Sequence, residues 1–349
     1  MPPRLPILLA AATSALVFAG PVHASVTAAE LDAQVDRNLD ALYAHHLPWG
    51  GFHDPLTGGP QFNYGAVALA WLGGERLPER RAAAALTLRY GTKAKLPGAF
   101  QVWLEAEAFN SAWLDEQTRA LLADHLRAYS TPAVGARALP CQRRADCYNN
   151  LKLVDAVASL ALVRTGLTSP LPGTRLADPP ATERAARRFL GTRLLAAQRP
   201  DARITGADTA AVLSDPSRNP LAYHALSTAM LMRAVRLGAP SGARTAARRA
   251  LWALVGLADP RGTVAWMGRG QEHTWTYAAT VYAALAGAAA FADDAALAAR
   301  LRRLAHLAVA ELGAREGKLG FAVVGGPPRA SLAGADKSQN TVVCNGLTL

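Results

Sequence analysis

Two pairs of neighbouring polar residues stand out from a chain built mostly of alanine, leucine and arginine. In "CYNNLKLVDAVASLALVRTG" (147–166), Asn149 and Asn150 open a strongly periodic apolar helix, and in "NPLAYHALSTAMLMRAVRLG" (219–238) Tyr223 and His224 do the same. Asparagine amides and the unbonded N–H groups of a helix start are donors suited to a carboxylate. Tyrosine near a cation loses its proton more readily than its usual value near 10 allows, and Arg218 and Asn219 lie just upstream of Tyr223. A third stretch, "WMGRGQEHTWTY" (266–277), sets Arg269 between two glycines and gathers Gln271, His273, Trp266 and Trp275 at a helix start. Carboxylate recognition, proton transfer and sugar stacking are the chemistries these residue types offer. Each also has a structural alternative: Asn149 as a helix cap, Tyr223 and His224 as bonded core residues, the 266–277 loop as a packed helix entry.

A fourth cluster, "HHLPWGGFHDPLTGGPQFNYG" (45–65), crowds three histidines and several aromatics, Tyr64 among them, into a Gly/Pro loop. Its histidine spacing fits no strong metal template, so a substrate-lining loop or a packed lid is the expectation. "FQVWLEAEAFNSAW" (100–113) is similar in composition and offers Trp103 as a further aromatic wall.

The elements that must position these groups are helices. Apolar residues recur at three- and four-residue intervals near 27–46, 62–74, 78–90, 99–109, 115–128, 148–166, 181–198, 220–238, 242–257, 274–291 and 293–313. Gly- and Pro-rich stretches punctuate them. The only strand candidates are "GTVAWM" (262–267) and "KLGFAVVGG" (318–326). The expectation is an all-α chain of about eleven helices in antiparallel hairpins, with at most two short strands, arranged as an incomplete α/α toroid. No fixed repeat of solenoid length is visible. The chain stops on "NTVVCNGLTL", which reads as the first turn of another helix, so a ring with its closing helix cut short is expected.

Residues 1–24 carry Arg4, an apolar core and a small-residue exit at Val22-His23-Ala24, the pattern of a cleaved secretory signal. That leaves 25–349 as one exported domain, secreted or periplasmic, with no later membrane span. Export and the lack of any nucleic-acid motif argue against a nucleic-acid partner. The net charge of +11 suits an acidic polymer, although arginine-rich base composition would produce it equally well. Of three cysteines, Cys141 and Cys147 bracket a short loop and suit a disulfide in an oxidising compartment, with metal binding the rival and Cys344 left over.

"NNLKLVDAVASLAL" resembles the Asn-Asn-His segment of alginate lyases and heparinase II/III-type lyases, and "NPLAYHALSTAML" resembles their Tyr-His segment. "MGRGQ" is similar to the Met-Gly-Arg loop of hyaluronate and chondroitin lyases. The resemblance implies a polysaccharide lyase on an α/α toroid, acting on a uronic-acid polymer by β-elimination without cofactor or metal. It makes Asn149 or Asn150 the carboxylate neutraliser, Tyr223 base or acid, Arg269 a charge stabiliser, and His224 the histidine that follows the family tyrosine. Arg218, Asn219, Gln271, His273, Trp266, Trp275, Tyr64 and Trp103 are the expected substrate contacts. One departure matters: Leu151 stands where those lyases commonly carry histidine.

Two other readings compete. A glycoside hydrolase on the same ring needs two carboxylic acids flanking the bond, and Asp54, Glu105, Glu107, Asp146, Asp155, Asp208, Asp215 and Glu272 form no recognisable pair. A non-catalytic protein that binds anionic glycans is the third reading.

Overall fold

The computed structural model describes residues 27–56, 58–94, 98–129, 149–194, 199–200, 211–212, 221–264, 273–323 and 342–349. The expected signal segment, Cys141 and Cys147 lie outside them, as do Arg218, Asn219, Trp266, Arg269 and Gln271 and the side chain of Asn149.

The described chain is all-α. Eleven helices of ten residues or more are α1 (Ala28–Tyr43), α2 (Tyr64–Arg76), α3 (Arg81–Gly91), α4 (Gly98–Phe109), α5 (Glu116–Arg127), α6 (Asn149–Arg164), α7 (Pro179–Arg188), α8 (Leu221–Arg236), α9 (Ser241–Leu257), α10 (Thr274–Ala290) and α11 (Ala295–Ala314). A single turn, α12 (Asn345–Thr348), follows. Each helix lies where the apolar periodicity puts it. Their starts carry the caps that free backbone N–H groups require: Thr27 and Glu30 form a reciprocal capping box on α1, and Asn63, Asp115, Asp178 and Asp294 cap α2, α5, α7 and α11.

The strand expectation needs correcting. Gly262–Val264 and Lys318–Val323 are not strands in their described parts. Asp259 accepts from the Thr263 backbone N–H, holding a tight turn, and Phe321, Ala322 and Val323 are all buried rather than alternating. The strands among the described residues are four two-residue pieces: β1 (Phe52–His53) pairs with β2 (Pro60–Gln61), and β3 (Arg199–Pro200) with β4 (Ala211–Val212), both antiparallel. They sit in loops.

Helix packing runs in a cycle. α2 packs on α4, α4 on α6, α6 on α8, α8 on α10, α10 on α12, and α12 on α2 again. The helix that follows each of the first five packs against its outer side: α3 on α2, α5 on α4, α7 on α6, α9 on α8 and α11 on α10. Sequence explains which helices lie inside. The 17 residues of α10, "TWTYAATVYAALAGAAA", include no charged side chain, as befits a helix enclosed on most sides. By contrast α11 buries Leu297, Leu301, Leu304 and Ala308 on one stripe and leaves Arg300, Arg302 and Arg303 exposed on the other.

The short α12 closes the cycle by glycine-to-glycine contact. A Cβ on Gly346 would lie 1.9 Å from the Gly65 carbonyl oxygen, and one on Gly65 would lie 1.9 Å from that of Val343. Only glycine permits so close an approach of two backbones. Thr274 and Thr348 hydroxyls bond at 3.0 Å, and the Asn345 amide donates to the Ala322 carbonyl at 3.2 Å. Because α12 is one turn deep, the outer helices α1 and α11 contribute Leu31, Val35, Val309 and Leu312 directly to the space inside the cycle.

Candidate functional site

That space is a cavity of about 840 Å³, within the size range of small-molecule sites. The first turns of five inner helices open on it, through Tyr64 of α2, Phe100 of α4, Asn150 of α6, Tyr223 of α8 and Trp275 of α10. These first-turn residues also meet one another: Tyr64 stacks on Phe100 with ring centroids 4.8 Å apart, and Tyr223 lies 5.6 Å from Trp275. Later turns meet later turns, since the Arg233 guanidinium of α8 lies over Trp71 of α2 and Trp103 of α4. The inner helices therefore run parallel, with their N-termini at one end. Each helix start carries roughly half a positive charge from aligned peptide dipoles, so this mouth favours anions even before side chains are counted.

Several expected site residues converge here. Asn150, Tyr223, Trp275, Tyr64 and Trp103 all line the cavity. Asn150 sits in the first turn of α6, only 5% exposed. Leu151 beside it lines the same cavity and is 49% exposed, so the position at which the resembled lyases carry histidine faces the opening.

The Tyr-His pair divides as the helical geometry requires, since neighbours point about 100° apart. Tyr223 faces the cavity, whereas His224 points into the contact between α8 and α9. It is fully buried, with Nε2 donating to the Ala250 carbonyl oxygen at 3.1 Å. Loss of solvation drives its pKa down to about 4, outweighing the bond to Ala250. The expectation that His224 touches substrate is therefore corrected: it is a neutral core histidine that holds α8 against α9.

His273 is likewise not among the cavity-lining residues. It precedes α10, is buried, and its Nδ1 accepts from Trp275 Nε1 at 3.0 Å. An indole N–H only donates, so Nδ1 carries no proton. His273 thus orients Trp275 rather than contacting substrate.

The 45–65 cluster is a packed lid except at its end. His46 bonds Thr87 Oγ1 at 3.0 Å and stacks on Tyr43, and His45 lies edge-on to Phe321. Burial lowers the pKa of both imidazoles. Among the described residues of this stretch, Asn63 and Tyr64 alone reach the cavity. Asn63 also caps α2, its Oδ1 accepting from Gly65 N–H at 2.6 Å.

Sequence reasoning passed over Arg233, Trp71 and Tyr282, all on the cavity wall. Arg233 is the one charged residue of that wall among the described residues. It pairs with Glu107, which also accepts from Trp103 Nε1 at 3.2 Å. Tyr223, Leu226, Met230 and Arg233 follow the i, i+3, i+7, i+10 spacing of one helix face, a pattern that would have flagged the arginine.

The four described carboxylates weighed for hydrolysis are already bonded. Asp54 accepts from the Leu56 backbone N–H, Glu105 pairs with His125, Glu107 with Arg233 and Asp155 with Arg175. Asp146, Asp208, Asp215 and Glu272 lie outside the described residues. No Asp or Glu lines the cavity, and no group of three metal-ligating side chains lies together, among the described residues. No described helix is long and apolar enough to cross a membrane. No protein-family model, curated protein or solved structure matches the chain.

Proposed function

We propose that the protein is an exported polysaccharide lyase that cleaves a uronic-acid polymer by β-elimination on an α/α toroid. The observation that carries this reading is that Asn150 and Tyr223, from the starts of two different helices, both line one cavity. The closed cycle of inner helices supports the toroid. Convergent helix dipoles and the net charge of +11 suit a polyanion.

In this reading Asn150 donates to the uronate carboxylate, offsetting the charge that builds when the C5 proton leaves. Tyr223, as phenolate, takes that proton. The electron pair forms the C4–C5 double bond, the C4–O bond breaks, and the departing oxygen takes the proton back from the phenol. One residue performs both transfers when proton and leaving group lie on the same face. Neither His224 nor His273 lines the cavity, and Leu151 has no proton to give, so base and acid both fall to Tyr223. Trp275 and Tyr64 supply aromatic faces for sugar rings. Arg269 keeps the role that the resemblance implies, Arg218 that of a cation near the tyrosine, and Cys141–Cys147 that of a short-loop disulfide in an oxidising compartment.

A hydrolase is the weaker reading, because no carboxylate lines the cavity among the described residues. Size-exclusion chromatography of a panel of uronic-acid polysaccharides after incubation with the protein tests the proposal. Chain shortening that disappears in both Tyr223→Phe and Asn150→Ala is the expected result. Shortening that survives both substitutions would overturn it.

A further inference from the structure

Below the mouth the cavity is walled mainly by hydrocarbon. Leu72 of α2, Leu104 of α4, Leu226 and Met230 of α8, and Ala279 and Leu285 of α10 line it, beside the aliphatic side chains of α1 and α11. Leu72, Leu226 and Leu285 are only partly buried although they belong to inner helices, so apolar surface is left uncovered on the inside of the cycle. Such surface gains in proportion to its area when an apolar group displaces water from it. The polar groups among it are already engaged: Gln34 and Asn38 donate to Glu316, and Arg233 pairs with Glu107.

The cavity is also deep. Tyr223 and Arg233, both on its wall, are ten residues apart on α8, roughly 15 Å at 1.5 Å per residue. An extended chain advances about 1.2 Å per covalent bond, so roughly a dozen carbons span that depth. A space enclosed by helices admits such a chain and excludes a folded partner. At the mouth the preference reverses, because the helix starts there favour an anion.

We infer that the inside of the cycle holds the hydrocarbon chain of an amphiphile whose anionic head rests at the mouth. The identity of the head rests on the lyase reading: it is a uronate, and the substrate class is an acidic glycan carried on a hydrocarbon chain.

Isothermal titration calorimetry of the protein with hexyl, octyl, decyl, dodecyl and hexadecyl glucuronides, each below its micelle concentration, tests this. Affinity should rise about tenfold for each added pair of methylenes and level off beyond dodecyl, where the depth is filled. A negative heat-capacity change should accompany it. Dodecyl glucoside, which lacks the charge, should bind several-fold more weakly. Ala279 lies four residues beyond Trp275, roughly 6 Å down α10. Ala279→Phe should therefore spare hexyl glucuronide and weaken dodecyl glucuronide by about tenfold or more. Leu285→Gln, roughly 15 Å down, should weaken dodecyl glucuronide and spare octyl glucuronide.

Affinity independent of chain length, or a length dependence that both substitutions leave intact, would overturn the inference. Glucoside binding as tight as glucuronide would overturn the anionic head, and dodecanoate binding as tight as dodecyl glucuronide would replace the glycan with a free fatty acid. The two readings fail separately. Length-dependent binding with no elimination on any uronan would sink the lyase and keep the buried chain. Elimination by a protein that binds all chain lengths alike would keep the lyase and sink the buried chain.

Discussion

His224 makes the stability of this protein depend on pH in a way the structure allows to be sized. The imidazole is fully buried, its Nε2 is committed to the Ala250 carbonyl, and its pKa falls from the usual 6.5 to about 4. Between those values the unfolded chain binds a proton that the folded one refuses, so stability rises with pH in that window. The effect is absent above pH 6.5 and grows as pH falls toward 4. At 1.36 kcal/mol per pH unit it reaches about 2–3 kcal/mol near pH 4.5, a large share of the roughly 5–15 kcal/mol that holds a domain together. Urea unfolding followed by circular dichroism at pH 7.0, 5.5 and 4.5 measures it. His224→Gln keeps a donor for Ala250 and removes the titration, so the difference between wild type and variant should shrink by that amount on acidification. Parallel stability curves for the two proteins would refute the argument.

Three further outcomes follow from the geometry. Leu151→His places an imidazole at an exposed position on the mouth, and elimination measured on the same uronan should speed up by about tenfold or more, in the range of general acid–base assistance. Gly65→Ala drives a Cβ into the Val343 carbonyl, so thermal unfolding should show a loss of about 1–3 kcal/mol, and amide exchange should speed up in Asn345–Thr348. His125 acts with the opposite sign to His224: its hydrogen bond to Glu105 raises its pKa, so its contribution is complete below pH 6.5 and fades as pH climbs through the raised value. Replacing it by Gln should therefore cost more stability at pH 5.5 than at pH 8.5, measured by urea midpoint.

Most of the fold was legible because helix periodicity is a local signal. The stripe of Leu297, Leu301, Leu304 and Ala308 announces α11 without reference to any partner, and Asp294 before it marks the start. The inner helices were legible as helices, but their order around the cycle was not, since Ala-rich faces such as that of α10 fit many neighbours equally well. The Gly65–Gly346 contact depends on residues far apart in the chain, and nothing near either glycine announces it. The two strand expectations fell on apolar stretches whose described parts, 262–264 and 318–323, are turn, a single helical turn and buried coil rather than sheet.

The site was legible in part for the same reason. Asn150, Tyr223 and Trp275 stand at helix starts, where a polar or aromatic residue before an apolar run is conspicuous. His224 and His273 were conspicuous on the same grounds, yet sequence gives no sign of which way an adjacent pair divides around the helix. Arg233 was hidden by its neighbours, because an arginine near the end of a helix reads as a solvated or dipole-compensating cation. Only its place over Trp71 and Trp103 shows otherwise.

Ultraviolet absorbance of the protein mixed with a panel of uronic-acid polysaccharides tests the central claim most directly. Elimination creates a double bond conjugated with the carboxylate, which hydrolysis cannot produce. Absorbance should rise with at least one polymer and stay flat with Tyr223→Phe. New reducing ends without any absorbance, or a rise that Tyr223→Phe leaves intact, would contradict it.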